Sequence, residues 1–293
     1  MMKSNKSCAV RQLADGGGSP DRTNPGYPVP ESSYSSSSRV QVEEQEVSHF
    51  GDRQNAFFIA AYEGILRLVS EYVLSSPSIV WQVDKDGQTA LLIAAGAGHF
   101  GVVRYLHSCG ANVNHKDRTG ATPVYRASAN NHLQVMQFLA QCGANIEEPC
   151  NNGFTPLIVA SLAGHLEIIK FLHSLSVNME VTEANQLTPF LISCAGCADV
   201  EIVQYLREEC GCNVDKVEKN GCSALILSSG AGNTEVCKYL LSCGADIDAQ
   251  SYNGFTAMFS ACSSGNLETV KFLYERGADI ERRSNKVIEV VKL

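Results

Sequence analysis

The 293-residue chain has no run of about 18 consecutive apolar residues, the length a membrane-spanning helix needs, so no segment is expected to cross a bilayer as a helix. Its N-terminus, MMKSNKSCAVRQLADGGGSP, lacks the apolar centre of a secretory signal. An excess of positive charge is also missing: Lys and Arg total 23 against 31 Asp and Glu, a formal net charge of −8. Residues 1–50 hold 5 basic and 6 acidic side chains, so the remaining 18 against 25 place −7 on the body of the chain. A nucleic-acid partner is disfavoured, because phosphate contacts need a basic stripe that releases counterions. These absences predict a soluble, cytoplasmic protein, with the nucleus also open to it, and neither membrane nor nucleic acid among its partners.

Apolar residues make up 44% of the chain, enough for a sizeable core, and cysteine is plentiful at twelve. Without a secretory signal a disulfide framework is not expected. Free cysteine instead behaves as a small, readily buried apolar residue.

Residues 1–50 are rich in Ser, Gly and Pro and poor in large apolar residues, so they are expected to be disordered. A phosphorylatable docking tail around Ser32–Ser38 is the functional alternative to a plain linker. From residue 86 the sequence repeats itself. The hydroxyls Thr89, Thr122, Thr155, Thr188, Ser223 and Thr256 recur at spacings of 33, 33, 33, 35 and 33. A fixed period of this size marks a stacked array of units, each covering its neighbour's apolar face.

Each unit has the same physical plan. Asp86-Gly87, Asn152-Gly153, Asn220-Gly221 and Asn253-Gly254 are turn dipeptides suited to a tight hairpin with positive φ. A short inner helix then starts at the Thr or Ser, with Pro123, Pro156 and Pro189 at the tolerated first helical position. Small residues such as Ala94-Ala95 and Ala160-Ser161 follow, and Gly98, Gly164, Gly232 or Gly265 breaks the helix. An outer helix carries apolar pairs such as Val102-Val103 and Ile168-Ile169, and Gly110, Gly143, Gly211, Gly244 and Gly277 end it.

The phrase Gly-x-Thr-Pro-Leu-x-x-Ala-x-x-x-Gly-His and the Gly-Ala-Asn/Asp endings resemble ankyrin repeats, over residues 86–282. The resemblance implies an all-α solenoid of helix-turn-helix units joined by β-hairpin loops. Six repeats follow, 86–118, 119–151, 152–184, 185–219, 220–252 and 253–285, behind a degenerate capping repeat at 54–85 and ahead of a stub at 286–293. The family's usual His three residues after the anchor Thr is replaced by Leu92, Tyr125, Ile158, Leu191, Ile226 and Phe259, which predicts apolar packing there. Two insertions, in CAGCADV and REECGC, account for the longer fourth repeat and predict a local bulge.

No constellation points to chemistry. His99, His132 and His165 share a column with Asp199, Asn233 and Asn266; what these types have in common is the ability to cap the outer helix, not to bind a metal. Cys194, Cys197, Cys210 and Cys212 offer zinc-like spacing. The two pairs nevertheless fall at opposite ends of an outer helix roughly 15 Å long at 1.5 Å per residue. Cys109, Cys142 and Cys243 share a column in adjacent or stacked repeats about 8–10 Å apart, too far for disulfides. Nucleophile motifs and phosphate loops are missing, so the expectation is a non-enzyme with no cofactor and no metal, and a monomer.

In proteins of this type partners contact the hairpin tips and the exposed face of the inner helices. By column, the candidate contacts here are Arg118 and Tyr252 two residues before the turn Gly position, Phe154, Leu187 and Phe255 one residue after it, and Leu162 on an inner helix. Exposed apolar strips and Tyr or Arg side chains mark interfaces. Phe154 and Phe255 also suit a second role, packing between neighbouring hairpins. The function implied is a protein-binding adaptor or scaffold. The alternative is the targeting part of a larger effector, such as a ubiquitin-ligase receptor, channel or acyltransferase.

Overall fold

A computed structural model describes residues 50–196 and 199–282, with side chains from Gln54 onward. The tail up to residue 49 with its Ser32–Ser38 run, Cys8, Cys197 and the stub from 286 lie outside the described residues. The described chain forms two compact units that divide between Val159 and Ala160. It holds fourteen α-helices and no strand among the described residues.

The pairs are α1 (Phe50–Tyr62) with α2 (Leu66–Ser75), α3 (Ala90–Ala97) with α4 (Phe100–Ser108), α5 (Pro123–Ala129) with α6 (Leu133–Gln141), and α7 (Pro156–Ala163) with α8 (Leu166–Ser174). They continue as α9 (Pro189–Gly196) with α10 (Val200–Glu208), α11 (Ala224–Ala231) with α12 (Thr234–Ser242), and α13 (Ala257–Ser263) with α14 (Leu267–Glu275). The first helix begins at Phe50, inside the stretch the composition marks as tail.

From α3 onward each inner helix starts because its anchor hydroxyl accepts the backbone N–H three residues on. Thr89 takes Leu92 N at 3.3 Å, Thr122 takes Tyr125 N at 3.2 Å, Thr188 takes Leu191 N at 3.3 Å and Thr256 takes Phe259 N at 3.2 Å. The outer helices present one apolar stripe inward. In residues 50–159 the fully buried side chains include Phe57, Leu91, Leu106, Met136 and Leu139; in residues 160–282 they include Ile168, Leu172, Phe190, Val203 and Leu206. Each contributes about 1.5–3 kcal/mol by leaving water.

The loops expected as β-hairpins are turns instead, and the single bridge among the described residues pairs Val83 with Thr89. A side-chain acceptor does the work a strand ladder would do. Asp117 Oδ1 accepts Thr119 N at 2.8 Å and Ala121 N at 3.0 Å, and Glu183 Oε1 accepts Asn185 N at 2.9 Å and Leu187 N at 3.2 Å. Folding four residues around one carboxylate leaves no length for a ladder.

The His column takes the cap position, but the imidazoles do not cap. His99 Nε2 donates to the Tyr62 carbonyl at 2.7 Å and His132 Nε2 to the Gly96 carbonyl at 3.1 Å. Asn233 Nδ2 likewise donates to Cys194 O at 2.9 Å, and only Asp199 is a side-chain cap, taking Glu201 N at 3.0 Å. The orphan carbonyls at the end of the preceding inner helix are the stronger claim on these donors. Gly98 makes the approach possible: it has φ +81° and a Cβ there would lie 2.4 Å from His132 Nδ1.

The second insertion of the fourth repeat is absorbed at one bond. Ala111 N, Ala144 N, Ala245 N and Ala278 N each bond the carbonyl five residues back, whereas Cys212 N reaches six back to Leu206 O at 3.0 Å. The extra residue loops out ahead of Cys212, which keeps the buried position of Ala111, Ala144 and Ala278. The first insertion lies partly in residues 197–198, outside the described residues.

Candidate protein-interaction surface

The hairpin tips are tied one to the next through the backbone. Arg118 N donates to Asp86 O at 3.0 Å and Asn151 N to Thr119 O at 2.9 Å in the first unit. In the second, Lys219 N donates to Asn185 O and Tyr252 N to Asn220 O, both at 2.9 Å. The residues that make these bonds hold their main chains inward and turn their side chains to solvent. Lys85, Arg118, Asn151, Ala184, Lys219 and Tyr252 are all exposed, Tyr252 to 71%. The Tyr252 ring lies over Gly221, where a Cβ would come within 2.6 Å of Tyr252 Cδ1, and the Arg118 stem lies over Gly87 in the same way, with Cγ 3.2 Å from such a Cβ.

The column one residue after the turn, read from sequence as an exposed apolar strip, is half-buried. Phe154, Leu187, Cys222 and Phe255 are all intermediate in exposure, and Ala121 is buried. Their N–H groups bond inward to the turn acceptor, Phe255 N to Ser251 Oγ at 3.1 Å for example, which draws the side chains toward the inner helix. Phe255 stacks flat on Phe259, with centroids 4.8 Å apart. The position where the family usually carries His therefore receives the hairpin aromatic here. Tyr125 occupies the same position and is pushed up from the usual phenol range by burial and by its neighbour Cys150.

Leu162 is half-buried on α7, its Cδ1 3.1 Å from where a Cβ of Gly196 would stand, so the missing side chain of Gly196 makes room for it. In residues 160–282, Leu187, Tyr252 and Phe255 lie in the turns ahead of inner helices and Leu162 lies on an inner helix. Arg118 and Phe154 belong to the other unit. The candidates in 160–282 carry no charge, so what this surface offers a partner is aromatic and aliphatic area.

Burial makes the Cys210 and Cys212 thiols of the fourth repeat poor nucleophiles. The ten described cysteines are free. Burial pushes Cys212 up to about 12 and Cys210 up to about 11, so both hold their protons at neutral pH. Cys194 is fully buried in the inner-helix column also occupied by Ala95, Ser128 and Ser229. No group of three or more His, Cys, Asp or Glu among the described residues is arranged to hold a metal ion.

One column went unread in the sequence. Tyr72, Tyr105, Phe138, Phe171, Tyr205, Tyr239 and Phe272 place an aromatic at the same site of every outer helix, and their spacings of 33 or 34 were the available signal. In residues 160–282 a cation of the preceding outer helix covers each of three rings: Lys170 lies 5.9 Å from the Tyr205 centroid, Arg207 is 6.0 Å from Tyr239 and Lys238 is 5.9 Å from Phe272. Such contacts contribute about 0.5–1 kcal/mol each at exposed sites, which makes this ladder a device for joining outer helices.

Among the described residues no helix is long and apolar enough to cross a membrane. The family model for ankyrin repeats, in three copies, matches residues 38–117, 57–150, 101–184 and 190–284. With most of its length so matched and its capped helix pairs in phase, the chain belongs to the ankyrin repeat family, whose repeats generally serve as protein–protein interaction modules and are typically non-enzymatic.

Proposed function

We propose that this protein is an adaptor or scaffold that binds a protein partner through the hairpin tips and inner helices of residues 160–282, with Tyr252 as the anchor and Leu162, Leu187 and Phe255 as further contacts in other repeats and the same turn. Tyr252 carries the proposal. It is a large aromatic, 71% exposed, on a main chain fastened to Asn220 O and with its ring laid on Gly221. A side chain with two χ angles and a pinned backbone loses little entropy on binding, which is why Tyr is enriched among hot spots. Arg118 has the same placement in residues 50–159 and is proposed as a second contact, with Phe154 beside it in sequence register. A monomer working in the cytoplasm suits a chain with twelve cysteines and no disulfide among the described ones.

The test is to isolate partners with the full chain, identify them by mass spectrometry and measure affinity for purified pairs. Tyr252→Ala should weaken binding by roughly 2 kcal/mol, the hot-spot range. Unfolding should move by no more than about 0.5 kcal/mol, as for a surface residue. Full affinity in Tyr252→Ala for every confirmed partner would remove this site.

A further inference from the structure

Asn152, Asn220 and Asn253 are each followed by glycine, and each sits in a hairpin turn. Glycine has no Cβ, so its nitrogen has an open path to the side-chain amide before it. One restraint on that path is common to all three turns. Gly153 N, Gly221 N and Gly254 N donate to the carbonyl three residues back, at 2.9, 2.8 and 2.8 Å. The turns differ in what holds the asparagine.

At Asn220 the amide is fastened. Its Nδ2 donates to Glu218 Oε2 at 3.2 Å while Glu218 Oε1 takes Cys222 N at 3.1 Å, and the Tyr252 ring lies over Gly221. Glu183 holds Asn185 in the same way, with Nδ2 3.3 Å from Oε2. At Asn253 the turn acceptor is Ser251, whose one oxygen is taken by Phe255 N at 3.1 Å. The Asn253 side chain is exposed and has no partner among the described residues, but Gly254 is buried. In the third turn the acceptor position falls to Cys150, whose sulfur is a weak acceptor. Asn152 is exposed, its amide has no partner among the described residues, and Gly153 is half-buried, the most open of the three glycines. The neighbour of Asn152 ties this turn to the second: Asn151 N donates to Thr119 O at 2.9 Å and Asn151 Nδ2 to Arg118 O at 3.0 Å.

We propose that Asn152-Gly153 is a site of spontaneous isoaspartate formation, whose product unties the third turn from the second. Gly153 N attacks Asn152 Cγ and the new N–Cγ bond closes a succinimide. The Cγ–Nδ2 bond breaks, and ammonia leaves with the proton from Gly153 N. Water then adds to one succinimide carbonyl and opens the ring to an aspartyl or an isoaspartyl residue. Either product adds a negative charge, and the isoaspartyl form adds a methylene to the main chain beside Asn151 and its two bonds. The reaction needs no partner, so it stands or falls separately from the role of Tyr252.

The full-length protein is held at mildly alkaline pH and physiological temperature, digested at acidic pH, and sequenced by electron-transfer mass spectrometry, which separates the two isomers. Asn152 should convert first and Asn253 second. Asn220 should trail Asn152 by about tenfold or more, the ratio set by one hydrogen bond to a charged acceptor. In denaturant the three rates should converge, because the fold and not the dipeptide ranks them. Cys150→Glu, checked for native circular dichroism, should give Asn152 the restraint of Asn220 and slow it by a similar factor, with Asn253 unchanged. Hydrogen exchange at the Asn151 amide should be faster in the converted protein than in the parent, because exchange reports local opening. Equal rates at Asn152 and Asn220 in the folded protein, or an Asn253 that converts before Asn152, would overturn the assignment of the site. Unchanged Asn151 exchange after conversion would overturn the untying of the turn.

Discussion

The Phe255 and Phe259 rings lie parallel, with centroids 4.8 Å apart and planes 3° apart, so the hairpin of the sixth repeat is clamped to its own inner helix. We expect Phe255→Ala to destabilise the protein by about 1–2 kcal/mol, of which the ring pair contributes about 0.5–1.5 kcal/mol beyond area. A double-mutant cycle with Phe259→Ala by denaturant unfolding measures that term directly. Coupling near zero, with lost partner affinity, would mean that Phe255 serves the partner rather than the hairpin.

Asp117 is the acceptor of the second turn and pairs with Arg126 at 2.5 Å, its side chain 1% exposed. Burial by itself would raise the carboxyl, but the Arg126 guanidinium, the Thr119 hydroxyl and the Ala121 N–H outweigh it and hold Asp117 below the usual carboxylate range. A lowered folded-state pKa means stability that is complete above the unfolded value near 3.9 and lost as pH falls through the folded one. Asp117→Asn should therefore flatten the loss of melting temperature below about pH 4. Asp117→Ala should cost about 3–5 kcal/mol at neutral pH, because it leaves Arg126 buried without its partner. An acid limb in Asp117→Asn as steep as in the parent chain would assign that limb to other carboxylates.

Gly98 and His132 should be strongly coupled. Gly98→Ala places a methyl against the imidazole and forces a left-handed φ on alanine, a cost of about 1–2 kcal/mol before any clash. Removing the ring in Gly98→Ala/His132→Ala should recover the clash but not the backbone strain. Thermal unfolding of the two singles and the double checks this, and strict additivity would show that the ring moves aside freely.

Gln186 takes φ +63° at the place where the other turns have glycine. Gln186→Gly should raise stability by about 0.5–1 kcal/mol, the relief of a left-handed side-chain residue less the added chain entropy of glycine. Chemical denaturation resolves a change of this size. A loss of stability would mean that the Gln186 side chain makes a contact stronger than the strain it carries.

The repeat period, the caps and the helix boundaries were legible because each depends on residues a few positions apart. Thr122 caps Tyr125 within one turn, Pro123 fits only a first helical position, and Gly110 ends a helix by its own φ. The direction in which a side chain turns at a boundary was not legible. His99 and His132 have the composition of caps, yet they answer carbonyls 36 or 37 residues earlier, a choice that exists only once two helix pairs are stacked. The same holds for Phe255, whose half-burial follows from the ring at Phe259, and for Cys212, whose place among buried alanines depends on which residue of REECGC loops out. Local propensity set the units of this protein and their order. Contact between stacked repeats within each unit, which no single period records, decided which columns face water.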